Sequence, residues 1–332
     1  MVSTFLEGMI ERAAQSPKRV CLPESHDDNI LRVAARIVES GIGTPVLIGD
    51  EAAICAHAAE LGVATDGFEY YDNAGDEARD KLADLYAEAG VGDYSHKAIV
   101  RKSKNAVNCA MIMLACGLVD CVAAGKDCST GDVVFAASSF VGLADGVESP
   151  SSLGIADIPG FEGPQGSMLG LADCAITAQP DVADLAGIAI ASADTAKTLL
   201  GWEPRVALLA FSTKGSAEHE TIDVVRAAVE RVHELRPDIK CDGELQFDAA
   251  IVPAVAAHKV KGESEVAGKA NILVFPNLHA GNIGVKMVQI FGHANAYGPV
   301  LQGFRRPVCD FSRSAPVEEM LGNIAMLVIR AS

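Results

Sequence analysis

Polar side chains and glycines that could hold a ligand gather at four points of this chain where an apolar run gives way to a small polar loop. In residues 205–217, RVALLAFSTKGSA, the run stops at Phe211, and Ser212, Thr213, Lys214, Gly215 and Ser216 lead into a helical pattern. Free N–H groups and the positive end of a helix favour an anion at such a place. The same residues also make an ordinary hydroxyl N-cap beside a solvated lysine. No Walker loop is present, because its Gly-Lys-Ser/Thr ending is missing. Residues 121–132, CVAAGKDCSTGD, repeat the theme, with Ser129 and Thr130 as anion donors or simply as helix caps. In residues 271–284, NILVFPNLHAGNIG, Gly281 and Gly284 bracket Asn282 at a helix start. Glycine there permits close approach either of a ligand or of a neighbouring strand, and His279 is a loop histidine or a ligand.

The fourth point is residues 302–319, QGFRRPVCDFSRSAPVEE. Arg305, Arg306 and Arg313 form a positive cluster in an acidic chain, Ser312 stands beside Arg313, and Ser314 can cap a helix with Pro316 in its first turn. Glu318 and Glu319 fall near that helix start, where compensation of the helix dipole is one sufficient role. Two metal readings are weaker. Cys109, Cys116, Cys121 and Cys128 lack zinc-site spacing and have small apolar neighbours. Asp242, Glu244 and Asp248 equally suit a turn and a helix start.

Parallel α/β sheets must position these loops. Short apolar runs at 20–22, 44–48, 121–124, 205–211, 271–275 and 298–302 alternate with helical patterns at 28–39, 181–200 and 217–235. Strands alternating with helices imply crossover connections and a largely parallel sheet flanked by helices, with ligands beyond the carboxyl ends of the strands. Residues 143–170, with Pro150, Pro159 and Pro164, read as a loop or domain crossing. The expected domains are 1–145 with 303–332, and 146–302.

At 332 residues, about two domains are expected. Hydrophobic residues at 49% exclude a disordered chain. The longest apolar stretch, 109–119, ends at Asp120 and is too short to span a membrane. With 27 basic against 44 acidic residues the net charge is −17, which opposes nucleic acid as a partner and demands a local basic pocket for any small anion. An odd count of nine cysteines, no CxxC and Glu7 and Glu11 near the amino terminus argue for reduced thiols in a cytoplasmic protein rather than a secreted one.

Taken together, the segments at 171–177, 203–217, 242–256, 270–289 and 298–313 resemble the phosphate acetyltransferase (phosphotransacetylase) family and its phosphate butyryltransferase relatives. The resemblance implies reversible acetyl transfer between acetyl-CoA and phosphate, giving acetyl phosphate and CoA. It also implies two α/β domains with an isocitrate/isopropylmalate dehydrogenase-like fold, an active-site cleft between them, and a homodimer. Coenzyme A or acetyl-CoA is then a substrate, and no cofactor is permanently bound and no metal is catalytic. The family's Ser-Arg pair falls on Ser312 and Arg313, and its acid, usually Asp, on Glu319. Ser212, Thr213, Lys214, Gly215, Ser129, Thr130, Asn282, Gly284 and Arg305 become candidate substrate contacts. The chain departs from the pattern at Phe135, where the family has arginine, at 85–90 (LYAEAG), where a basic segment is expected, and at Ser314-Ala315-Pro316. Arg305 and Arg306 are candidates to replace the missing cations. A larger acyl group, propionyl or butyryl, and a weakly active CoA-binding relative remain alternatives. A dehydrogenase reading lacks a GxGxxG after a strand.

Overall fold

The computed structural model describes residues 4–145 and 147–332. The first three residues of the expected first domain, and Gly146, at which the expected second domain begins, lie outside the described residues. The chain forms two compact units, one of Met1–Asp145 with Phe304–Ser332 and one of Gly146–Gly303.

The first unit runs α1 (Thr4–Ala13), β1 (Lys18–Leu22), α2 (Asp28–Glu39), β2 (Gly43–Ile48), α3 (Glu51–Glu60), β3 (Glu69–Tyr71), α4 (Asp76–Ala89), α5 (His96–Lys102), α6 (Ala106–Ala115), β4 (Cys121–Ala124) and α7 (Thr130–Phe140). Helix α2 shows how local chemistry sets an element. Asp27 caps it, accepting hydrogen bonds from the N–H groups of Asn29 and Ile30 at 2.8 and 3.1 Å. Its apolar stripe then buries Ile30, Leu31, Val33, Ala34 and Ile37. All four residues of β4 are buried, as expected of a strand covered on both faces.

The second unit contains β5 (Ser151–Asp157), β6 (Met168–Ala172), α8 (Val182–Leu200), β7 (Arg205–Leu209), α9 (Glu220–Leu235), β8 (Lys240–Leu245), α10 (Phe247–Ile251), α11 (Pro253–Lys259), β9 (Ile272–Val274), α12 (Leu278–Phe291) and β10 (Asn295–Gln302). Its strands lie in the order β10-β5-β6-β9-β7-β8. The pairs from β6 to β8 are parallel, and β5 is antiparallel to both its neighbours. Alternate side chains enter two cores. Val206 and Leu208 pack with α8 and α9, whereas Ala207 and Leu209 pack with Ala249 and Ala250 of α10.

The chain then returns to the first unit with β11 (Val308–Asp310) and α13 (Val317–Arg330). There the strand order is β3-β2-β1-β4-β11, parallel throughout. The carboxyl ends of β1, β4 and β11 therefore share one edge.

Three expectations are corrected. The stretch 143–170 is not all loop, since it holds β5 and the start of β6. Pro150 and Pro159 flank β5 rather than break it, and its polar Ser151 and Ser152 are buried with bonded hydroxyls, on Gln302 at 3.0 Å and on Asp173. Residues 240–245 are a strand, not a turn. Finally, β7 stops at Leu209 and α9 begins only at Glu220, so the 212–217 loop does not open the helix.

Candidate active site

Three loops meet at the shared strand edge of the first unit. The loop after β1 supplies Glu24, which is buried. Its carboxylate accepts from the N–H groups of Lys126, Asp127 and Cys128 at 2.9, 2.7 and 3.1 Å, fixing the loop after β4. Gly125, at φ +103°, makes the turn out of β4. A Cβ there would collide with Asp310 Oδ1 and press on the backbone of Phe311, so glycine is required by both conformation and space. Asp310 closes β11. Thr130 donates its hydroxyl to Asp310 Oδ2 at 2.6 Å, and Oδ1 has no hydrogen-bond partner among the described residues. Burial pushes this carboxyl up to about 7, with Thr130 and the nearby Arg313 opposing the rise.

After β11, the Phe311 N–H donates to the Ala124 carbonyl at 2.7 Å, and the chain turns outward. Ser312, Arg313 and Ser314 are exposed, with the Ser312 and Ser314 hydroxyls 3.1 Å apart. Among the described residues the Arg313 guanidinium has no hydrogen-bond or ion-pair partner, although its field is felt by Asp310 and Asp132. Beneath the turn lies Lys126, only 8% exposed, whose ammonium donates to the Arg313 carbonyl at 2.6 Å and the Ala315 carbonyl at 3.3 Å.

The two adjacent acids of α13 part company. Glu318 is exposed and pairs with Arg36 of α2 at 2.6 Å. Glu319 is half-buried, and desolvation pushes its carboxyl up to about 7 against the pull of Lys126. Desolvation thus outweighs the helix start that would otherwise favour the ionised form. A group that binds a proton near neutrality, seven residues after the Ser312 hydroxyl and six after the Arg313 guanidinium, can take a proton from one partner of a reaction while charge develops on another.

The remaining expected site residues lie elsewhere or have other partners. Ser129 caps α7 in a reciprocal pair with Asp132, and Thr130 is held by Asp310. Phe135 is 67% exposed on α7. Arg305 precedes β11, at the opposite end of that strand from Ser312, and donates Nε to the Leu143 carbonyl at 2.9 Å. In the second unit, Asn282 donates to the Cys174 carbonyl at 3.3 Å. Gly281 and Gly284 pack closely, on the Asp173 carbonyl and the Phe275 ring.

The 212–217 loop does cradle an anion, but that anion is internal. Glu244 accepts from the Ser212 hydroxyl and the Gly215 N–H, each at 2.8 Å, and from Arg226 at 2.9 and 3.0 Å. Burial pushes Glu244 up, yet Arg226, Gly215 and Ser212 together hold it down at about 2. The N–H groups of Thr213, Lys214, Ser216 and Ala217 also have partners within the same unit. Lys214 binds Asp242, and Thr213 bonds Gln246. The donors expected for a substrate anion at Ser212, Thr213, Lys214 and Gly215 are therefore occupied. The same contacts account for the acidic motif, since Asp248 pairs with Lys259 at 2.8 Å. Among the described residues no group of three or more His, Cys, Asp or Glu could hold a metal ion. No helix among them is long and apolar enough to cross a membrane.

Spacing alone does not reveal Glu24, Asp310 or Lys126. Glu24 lies 102 residues from the loop it anchors. Only the adjacency of β1, β4 and β11 explains its burial.

Comparison with known proteins points the same way. A model of the family described as "Phosphate acetyl/butaryl transferase" matches residues 4–328. The phosphate acetyltransferase of Thermoanaerobacterium thermosaccharolyticum is 40% identical over 329 residues, covering 99% of each chain. A crystal structure of a phosphotransacetylase from Streptococcus pyogenes superposes with a TM-score of 0.91 at 32% identity, over 100% of this chain and 99% of that one. A putative 4-hydroxythreonine-4-phosphate dehydrogenase from Salmonella typhimurium shares the fold alone, with a TM-score of 0.51 at 13% identity over 94% and 99% of the two chains.

Proposed function

This chain belongs to the phosphate acetyl/butaryl transferase family, and from that we propose that it is a phosphate acetyltransferase exchanging an acetyl group reversibly between acetyl-CoA and phosphate, with Ser312, Arg313 and Glu319 at the reacting atoms. One observation supports the site above all. In a chain with 44 acidic residues, the exposed guanidinium of Arg313 has no partner among the described residues, while Ser312 and a proton-retaining Glu319 belong to the same loop and helix start.

In the direction that consumes acetyl phosphate, the CoA thiol gives its proton to Glu319. Sulfur then bonds to the acetyl carbonyl carbon, and the tetrahedral adduct collapses by breaking its C–O bond to phosphate, which leaves. A thiol ordinarily titrates at about 8.5. A base near 7 is well matched to it, being about half ionised at neutral pH yet basic enough to help. Arg313 and Ser312 supply hydrogen bonds to the oxyanion of the adduct, and the planar guanidinium also suits two oxygens of phosphate. The reverse reaction retraces these steps, with Glu319 returning the proton to sulfur.

The test is phosphate- or arsenate-dependent loss of the acetyl-CoA thioester absorbance. Arg313→Ala and Ser312→Ala are each expected to lower kcat by about 10²–10³. Wild-type activity matched by both variants would refute the assignment.

The enzyme is further proposed to work in the cytoplasm as a homodimer. Helix α12 offers the surface. Ile283, Met287, Ile290 and Phe291 form one exposed apolar stripe, from 52% to 77% exposed, and α12 carries no carboxylate in a chain of net charge −17. A second copy of the same face can therefore approach it without the repulsion that the rest of the surface imposes.

A further inference from the structure

Lys126 has none of the features of a surface lysine. It follows Gly125 at the end of β4, its N–H is held by Glu24 at 2.9 Å, and its side chain runs under the turn after β11. Burying an ammonium is costly unless its protons are bonded. Two of the three are directed at the Arg313 and Ala315 carbonyls. These contacts have a geometric consequence. The peptide between residues 313 and 314 is not among the cis bonds of the chain. In a trans peptide the C=O and the following N–H point in opposite directions. With the Arg313 carbonyl drawn inward, the Ser314 N–H is turned away from Lys126, in a turn whose residues 312–314 are exposed, and no residue among those described accepts from it. The charge of Lys126 also bears on Glu319 at the first turn of α13, where it opposes desolvation.

Of the other charges near this helix start, all but Arg313 have partners. Glu318 is paired with Arg36 of α2, and Glu24 accepts three N–H groups. Asp310 holds Thr130, and Arg313 is exposed. Of the other elements packed on α13, α1 carries Glu7, Glu11 and Arg12, and β1 carries Lys18 and Arg19. Among the described residues, Lys126 is the cation whose field lowers the proton affinity of Glu319.

We propose that Lys126 is a positioning residue, whose buried ammonium holds the turn at residues 313–315 so that the Ser314 N–H is a third donor to the reacting oxyanion, and sets a positive charge at the start of the helix that carries Glu319. The proposal rests on the acetyltransfer reading and assigns a role to a residue outside the Ser-Arg-Glu set. Its test is the pH dependence of kcat/KM for CoA in the acetyl phosphate direction, for wild type, Lys126→Met, Lys126→Gln and Lys126→Arg, with thermal melting to verify folding. Wild type should lose activity as pH falls through about 7, and Glu319→Gln should remove that limb. Lys126→Met should move the limb upward by roughly one pH unit and lower the plateau rate by about 10²-fold. Lys126→Gln keeps a donor for the carbonyls without the charge, so it should shift the limb yet retain most of the plateau, and Lys126→Arg should leave the limb in place. An unmoved limb in Lys126→Met, or a limb that persists in Glu319→Gln, overturns the proposal. Carbon-13 NMR titration of the Glu319 carboxyl makes the comparison without turnover. A midpoint equal in wild type and Lys126→Met refutes the role of Lys126 even in a protein that fails as a transferase. A raised midpoint in an inactive protein would support the charge coupling and refute acetyl transfer instead.

Discussion

Glu318 and Glu319 are neighbours of the same chemistry with different environments. Glu318 reaches solvent and Arg36, while Glu319 loses hydration. Because its folded affinity for the proton is raised to about 7 from the ordinary carboxylate range, Glu319 contributes stability that is fully present below about pH 4.5 and lost as pH rises through about 7. Glu319→Gln should therefore melt higher than wild type at pH 8, by on the order of 2 kcal/mol, with the gap closing towards pH 4.5, while its acetyltransferase rate falls by at least about 10²-fold. Melting curves at pH 8 and 4.5 check the first part. Equal melting at pH 8 would show that Glu319 is not held out of water. Gly125 belongs to this scale too, since the space it leaves empty is occupied by Asp310 Oδ1.

Among the elements, the 212–217 loop teaches most. Its composition correctly indicates a cradle for an anion, yet β8 brings in Glu244 as that anion. Being depressed to about 2, Glu244 contributes stability present above about pH 4.5 and lost as pH falls through about 2. Ser212→Ala removes one of its donors and should cost about 1–3 kcal/mol of stability while leaving KM for phosphate within about twofold, because the hydroxyl is fully buried against Glu244. Unchanged melting with a tenfold higher KM would return this loop to the substrate. In α12, likewise, the glycines serve close packing against residues 173–174 and Phe275, and the helix offers an apolar stripe on its exposed side.

For the whole molecule, net charge and α12 make opposite demands. A surface of −17 keeps copies apart, and one carboxylate-free apolar stripe gives them a place to meet. Ile290→Asp with Phe291→Asp should convert a dimer into a monomer in sedimentation while leaving the first-unit site intact. A dimer that survives both changes would remove α12 as its interface. The helices at 28–39 and 181–200 and the strand at 121–124 were legible from periodicity and composition, because an apolar stripe is a local property, whereas the Asp27 and Asp181 caps were not singled out. The Ser312-Arg313 loop and Glu319 could be singled out by residue type and family pattern, since reacting groups must be particular side chains at particular spacings. What no local pattern carries is the company each group keeps. The burial of Glu319, the internal anion in the 212–217 loop, the placing of Arg305 at the far end of β11 and the ammonium under the turn all depend on which strands lie side by side. Desolvation and hydrogen-bond partnership are decided by neighbours up to some hundreds of residues away in the chain, as with Arg36 and Glu318, 282 positions apart, so only the tertiary structure could settle them.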